Sequence, residues 1–419
     1  MAKQITACFS RNWGGRVRVA GLTFALMAAL CPGHALRAAD SLLSDSPSSN
    51  TTLAALEYQE TGYGVVNGSV SLTVQTTPFK KEPAATAGKI IRGVLNFGPG
   101  SSNSIPFLWQ RDAGKLYLDL NHNQDLTDDP AGVFVAPVAR PFRQFNYQTF
   151  TNVHLLFNTA SGRRRMLADL SLYDYGSQPM CFLMVRSFWQ GKLTLHGRDW
   201  QAGVVQNVSD QTDSFENSRL LLRPWEKRDQ AFNADIGLLA TVPFSRKLFV
   251  DGQAYQLEGI SRSQDGEARS SLQFTEQSVE LGEVKITGQY IRRLVLTGRP
   301  YLVILDQPAG VVKIPAGTYN QPDILLEQNG VQAFCNYGSM QTGGQISVGG
   351  KTPAVLNAGG PLTNSVAASR HGQDLRLDYR LVGAGGETYQ LANQDRSKPP
   401  AFAIYKGAKK IASGAFEFG

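Results

Sequence analysis

Short alternations of apolar and polar residues, cut by glycine, run along this chain from about residue 68 to its C-terminal end. Residues 68–74, 115–120, 167–173, 192–196, 247–250, 301–305, 375–379 and 402–405 are rich in Val, Ile, Leu, Tyr and Phe and are bounded by turn residues. A strand sends successive side chains to opposite faces, so a period of two predicts strands at each of these places. Turn signals every 8 to 12 residues or so predict an all-β protein of several antiparallel, sandwich-like units. No window sustains a long helical stripe. The one short helix the pattern predicts is 51–58, after the Ser/Asp-rich segment 41–50.

Two local phrases repeat. Residues 193–200 and 248–255 each run from an apolar strand through a glycine turn to an aromatic residue, with His196-Gly197 before Trp200 and Asp251-Gly252 before Tyr255. Both predict hairpins in which glycine supplies a positive φ. An oxygen-rich loop follows a strand at Asp119 and, with wider spacing, at 207–213, where a plain turn is expected.

The first forty residues set the compartment. Lys3, Arg11, Arg16 and Arg18 precede an apolar run at 19–30 and small residues at 35–39, the order of a secretory signal peptide cleaved between Ala35 and Asp40. Leu30 stands before Cys31 where a lipid-anchor signal has a small residue, and there is no twin-arginine pair, so the general export route is expected. The apolar run is too short for a resident span, and no transmembrane helix is expected elsewhere. Destinations are the periplasm, the cell surface or the medium.

Export changes the charge. The chain holds 41 basic and 34 acidic residues; five basic and no acidic ones leave with the leader, so 36 against 34 leaves about +2 where the full chain has +7. Arg163, Arg164 and Arg165 form the only basic triplet and are expected on a solvated strand edge. No nucleic-acid partner is expected. Cys8 and Cys31 leave too. Cys181 and Cys335 remain, open to a bridge or, for Cys181 in its apolar run, to life as a buried thiol.

The expected organisation is a signal peptide at 1–39, a loose mature N-terminus at 40–59, a β domain at 60–224, a sandwich-like domain at 225–345 and a C-terminal β unit at 346–419. Within 283–328, strands at 283–287, 293–296 and 302–305 lead to Ile314-Pro315-Ala316-Gly317-Thr318-Tyr319. That phrase resembles the strand–turn–strand closing of transthyretin-like and related immunoglobulin-like modules, which implies a sandwich.

The most legible chemistry lies at 119–129. Asp119, Asn121, Asn123 and Asp125 place oxygen side chains at alternate positions, with Asp128 and Asp129 just beyond. A hard cation such as Ca2+ takes six to eight oxygens, which a tight loop can supply from alternating residues. The spacing resembles the calcium loops of EF-hand and dockerin proteins: Asp119, Asn121 and Asn123 match the first, third and fifth places and Leu126 the eighth. The resemblance implies Asp119, Asn121, Asn123, Asp125, Asp128 and Asp129 as ligands. It departs at Gln124, where the pattern has glycine, and at Pro130, where it has the closing carboxylate. The competing expectation is an Asx-rich turn without metal.

No catalytic motif is present: Gly-x-Ser-x-Gly, His-Glu-x-x-His, Cys-x-x-Cys and phosphate loops are all missing from the sequence. His122, His154, His196 and His371 are widely separated; carboxylate pairs such as Asp169 and Asp174 could serve a glycosidase, though acidic residues flanking strands are usually solvated. Three functional expectations follow. The first is an exported sandwich protein with a structural Ca2+ loop, acting as a surface, matrix or interaction module toward a protein or glycan. The second is a carbohydrate-binding protein or glycan-active enzyme, from Trp109, Trp189, Trp200 and Trp225 near turns. The third is an outer-membrane barrel, from the alternating strands and the ending at 414–419.

Overall fold

The computed structural model describes residues 50–417 except 85–87, 99–102, 138–139, 143–144, 177, 209–210, 212–213, 231–240, 321, 337–343, 373 and 393–396. The expected signal peptide, its expected cleavage segment and residues 40–49 lie outside the described residues. The fold is all-β, in antiparallel sandwich-like sheets, with no α-helix among the described residues. Two compact units are present. The larger comprises Ser49–Asn364 and Leu381–Asn393; the smaller contains Ser365–Arg380 and Gln394–Gly419.

Three apolar cores fill the larger unit. Around the first, the strand Val66–Val74 crosses between two walls: residues 66–70 pair with Pro179–Val185, and 71–74 pair with Ile90–Asn96. One wall continues through Gly162–Asp174 and Phe145–Thr159, the other through Ser104–Gln110, Lys115–Leu118 and Val133–Val135. Between them pack Leu95, Phe107, Trp109, Phe150, Phe157 and Leu170, all fully buried. Each such side chain contributes about 1.5–3 kcal/mol by leaving water.

The strand Thr51–Glu60 makes the same crossing around the second core. Residues 51–56 pair with Glu267–Gln277 and 57–60 with Ser187–Leu195. The expected helix at 51–58 is therefore a strand. Its burial has a period of two, with Ala54 and Leu56 inside and Leu53 outside, because cross-strand packing on both sides outweighs the local helical preference of its Leu, Ala and Glu.

The third core shares a wall with the second. In Lys247–Val250, Leu248 and Val250 face the second core while Phe249 faces the third; in Leu302–Asp306, Leu302 and Ile304 face the second and Val303 the third. Ile291–Arg299 divides likewise, with Val295 on one side and Leu294 and Leu296 on the other. Alternate residues of one sheet thus feed two cores, which explains why these strands read as continuous apolar runs. Gly310–Pro315 pairs with Leu281–Ile286, and after Ala316 the chain pairs again, Gly317–Tyr319 with Ile346–Val348; the Tyr319 hydroxyl donates to the Pro315 carbonyl at 2.7 Å.

Both glycine phrases are hairpins. His196-Gly197 and Asp251-Gly252 are two-residue turns with φ of 47° and 73°, and 53° and 83°. Their tips are neighbours: Arg198 reaches Asp251 at 3.8 Å, and the His196 and Tyr255 rings lie 6.3 Å apart.

Candidate calcium loop and the neighbouring surfaces

The loop begins where the strand Lys115–Leu118 stops. Leu116 and Leu118 point into the first core as the alternation predicts, and Leu120 is half-buried against it. Asp119 corrects the alternation, which would leave it on the solvated side. Its residue is 0 % exposed, because the chain leaves the ladder at Leu118 and the carboxylate turns back under its own loop. One Asp119 oxygen accepts from the Asn123 N–H at 3.2 Å, the other from the Gln124 N–H at 2.9 Å.

The remaining oxygens brace the turn in sequence. Asn121 Oδ1 accepts from the Asn123 N–H at 3.0 Å, Asn123 Oδ1 from the Asp125 N–H at 2.6 Å, and Asp125 Oδ1 from the Thr127 N–H at 2.9 Å. Asp129 Oδ2 closes the loop by accepting from the Leu120 N–H at 3.0 Å. Asp128 receives the amide N–H groups of Asn121 at 3.2 Å and Asn123 at 2.7 Å. His122 and Gln124 carry the positive φ values, 60° and 68°, that make the bend; Gln124 does so without glycine, at a cost of about 1–2 kcal/mol.

Leu126 pins the returning chain. It is 1 % exposed and packs with Phe79 and Leu108 in a small core of its own, while its N–H donates to the Lys81 carbonyl at 3.0 Å. Lys81 also pairs with Asp125 at 3.1 Å. Hydrogen bonds from Thr127, then Lys81, hold the Asp125 carboxyl below its ordinary range. Asp129 moves the other way. Burial raises it, with the charges of Asp119 and Asp128 adding, against the lowering N–H groups of Leu120 and Asn121.

The donor chemistry fits a hard cation. Four carboxylates and two amide oxygens lie within eleven residues, and an oxygen that accepts one N–H keeps a second lone pair. None of the ion pairs among the described residues includes Asp119, Asp128 or Asp129. No group of three His, Cys, Asp or Glu among the described residues stands placed to hold a metal. The loop as folded satisfies its own backbone, and Asp128 takes the amide nitrogens of two of the expected ligands.

Other expected site residues are dispersed. Asp169 and Asp174 sit five apart on one strand and face opposite sides of it. Asp169 binds Arg186 at 3.1 Å, and Asp174 is buried between Lys89 at 2.8 Å and Arg111 at 2.9 Å. Burial pushes the Asp174 carboxyl up, and the Lys89, Gly176 and Arg111 hydrogen bonds outweigh it, leaving a lowered value. His154 and His196 lie 3.6 Å from Glu60 and Glu276 respectively, on different sheets. In the 207–213 turn, Gln211 is fully buried and bonds the Asn207 carbonyl at 2.7 Å; Asp210 and Asp213 lie outside the described residues.

Trp109, Trp189 and Trp200 are core residues, at 0 %, 7 % and 1 % exposure, and only Trp225 reaches the surface. The basic triplet splits by alternation. Arg163 and Arg165 stand exposed beside Glu267, at 2.8 and 3.6 Å, on a solvated face; the strand is not the expected edge there, since it pairs with Phe145–Thr159 on one side and with Glu267 at Arg163 on the other. Arg164 corrects that expectation: it is 0 % exposed, bonded to Ser261 and set over the Phe215 ring at 5.4 Å.

An aromatic row was not anticipated. Tyr147, Tyr173 and Tyr175 stack with centroids 5.5 and 6.2 Å apart, and Phe182 meets Tyr173 edge-on at 5.4 Å. They stand on the outer face of the first core's wall, with Met180 and Met184 exposed beside them. The alternation in 167–173 and the run at 180–185 hold the signal, but only the register brings Tyr147 opposite Tyr173. Comparison with family models, curated proteins and solved structures returns no match.

Proposed function

We propose that this chain is an exported β-sandwich protein whose 119–129 loop holds a structural calcium ion, and that it serves as a surface, matrix or interaction module. The observation that carries this reading is the crowding of carboxylates in the loop. Asp119 is fully buried and, with Asp128, stands near enough to raise Asp129, yet Lys81, the basic residue at the loop, pairs with Asp125. Buried and clustered carboxylates call for a positive charge, and six oxygen side chains are what calcium takes. Binding would have to draw Asp119, Asp128 and Asp129 together around the ion, with Asp128 releasing the Asn121 and Asn123 amides and their oxygens, with Asp125, completing the set. The ion supplies charge balance and cross-links the strand end to the returning chain.

The test is thermal unfolding of the mature protein in millimolar calcium and in excess chelator, with calorimetry beside it. Binding at a hundredfold excess over Kd stabilises by about 2.7 kcal/mol, and Asp119→Ala abolishes that increment. Identical melting in both buffers, with no heat of binding, would leave the loop a plain turn.

A glycan-contact role is the second reading, favoured by the Tyr147, Tyr173 and Tyr175 row beside the Thr149 and Ser171 hydroxyls. Glycan-array binding that Tyr173→Ala removes is its expected outcome. Side chains fill all three cores and the surface wall is mixed, which supports either reading over a membrane barrel. No helix among the described residues is long and apolar enough to cross a membrane.

A further inference from the structure

Two segments of the smaller unit carry a local excess of positive charge. Ser365–Arg380 and Gln394–Gly419 together hold eight Lys and Arg against four Asp and Glu, a balance of +4, while the whole mature chain stands near +2. Three of the eight cations meet at one place. The strands Ala401–Lys406 and Lys409–Ala415 form a hairpin through Gly407 and Ala408, and Lys406, Lys409 and Lys410 stand exposed at its tip.

The register makes this arrangement costly on its own. Lys406 lies directly opposite Lys409, and Tyr405 opposite Lys410. Like charges directly opposed across an antiparallel pair destabilise it. No ion pair among the described residues includes any of the three, whereas Arg376 of the same unit has Asp378 at 3.1 Å. The hairpin is thus tipped with ammonium groups that lack a carboxylate and would be relieved by an external anion.

The neighbours of the lysines narrow the kind of anion. Tyr405 is 60 % exposed and Ile411 57 % exposed. The pairing shifts between Ile404 and Tyr405, so Ile411 is the extra residue of a bulge, a feature that re-aims a side chain at a strand end. Phe402 and Ile404 turn the other way, with Phe402 against Phe416 at 5.1 Å, so Tyr405 and Ile411 are not needed for the unit's own packing. A soluble acidic polymer answers the lysines and leaves the isoleucine in water. A bilayer with anionic phosphate headgroups answers both, since cations settle at the phosphates while tyrosine and aliphatic side chains settle at the acyl boundary.

We propose that the 401–415 hairpin docks this protein on the surface of an anionic phospholipid bilayer, with Lys406, Lys409 and Lys410 at the headgroup phosphates and Tyr405 and Ile411 in the interface. This names a partner class for the interaction-module reading and rests on it only for where the bilayer is met. Binding by the purified protein is independent of export and of calcium.

The experiment is co-sedimentation of the mature protein, in chelator, with vesicles of phosphatidylcholine alone and with one third phosphatidylglycerol. The expected result is binding to the anionic vesicles only, weakened by raising the salt. A lysine near such a surface is worth about fivefold in partitioning, so the variant K406Q/K409Q/K410Q loses roughly a hundredfold. Ile411→Ser loses several-fold with the charges intact. R163Q/R165Q, which removes two exposed cations elsewhere, binds as the parent does. Unchanged melting of each variant certifies the fold. Three results overturn the proposal: equal binding to neutral vesicles, undiminished binding of the triple variant, or capture by dextran sulfate with no binding to vesicles. A calcium-insensitive melt with intact vesicle binding would sink the calcium reading and leave this one standing.

Discussion

Asp129 is the residue at which the two accounts of the loop diverge most measurably. Its carboxyl is held above the ordinary range by burial and by Asp119 and Asp128, so its protonated form is favoured in the folded state. A raised carboxyl contributes stability that is complete below its unfolded pKa and is lost as pH rises through the folded value. At neutral pH and without calcium, ionised Asp129 is therefore a burden. Asp129→Asn keeps an oxygen for the Leu120 N–H and removes that charge. Melting in chelator should rise at pH 7, the gain should shrink toward pH 3, and the calcium increment should fall. If Asp129→Asn instead lowers Tm in chelator, the carboxylates do not repel and the case for a cation weakens. Asp119→Ala behaves oppositely, because the Gln124 N–H loses its acceptor while the Asn123 N–H keeps only Asn121, costing about 1–3 kcal/mol even in chelator. The oxygen spacing and the anchoring role of Leu126 could be read directly from the sequence. The burial of Asp119 could not, because alternation predicts facing only as long as the strand lasts, and this strand ends one residue earlier. Arg164 escaped for a related reason: three like residues read as one surface feature, while alternation sends the middle one inside.

At the scale of elements, the two strands that cross between walls are the joints of the larger unit, and a glycine marks how tightly one is built. A Cβ at Gly191 would meet the Ala55 carbonyl oxygen at 2.0 Å, where Ser187–Leu195 lies against Thr51–Glu60. Backbone cannot give way as a side-chain tip can, so Gly191→Ala should cost at least the 1–3 kcal/mol or so typical of overpacking. Gly197→Ala is the control. Its Cβ meets nothing within 4 Å, and only the positive φ of 73° is strained, at about 1 kcal/mol. Urea unfolding of both variants checks the order; equal losses would mean that the crossing is slack. The hairpins at His196-Gly197 and Asp251-Gly252 were plain from sequence because a turn is set by residues adjacent in the chain. Their meeting, Arg198 on Asp251, depends on pairings between strands far apart in the chain, which no local pattern encodes. The strand at 51–60 illustrates the same limit. Its Leu, Ala and Glu favour a helix locally, and only partners beyond residue 186 decide otherwise.

For the whole molecule, the question is whether three cores that share strands behave as one. Thr51–Glu60 joins the sheets of the second core, Val66–Val74 those of the first, and the wall of Lys247–Val250, Leu302–Asp306 and Ile291–Arg299 serves the second and third together. Unfolding the third core would expose the far side of the second one's wall, so partial states are costly and a single transition is expected for the larger unit. Two buried thiols serve as reporters of the first and third cores. Cys181 lies in the first core at 1 % exposure and Cys335 in the third at 4 %, both as free thiols. Burial raises both, Cys335 to about 12 with Glu387 and Asp323 adding to it, so neither is a thiolate at pH 8 and neither should react with a disulfide reagent in the folded state. In denaturant both should become reactive. In protein comprising residues 40–419, C181S and C335S each leave one thiol, and labelling measured against urea should give coincident midpoints that match the loss of β-sheet circular dichroism. A midpoint for Cys335 well below that for Cys181 would show that the third core opens alone. In that case the shared wall, for all its buried faces, would act as a boundary between separately folding parts.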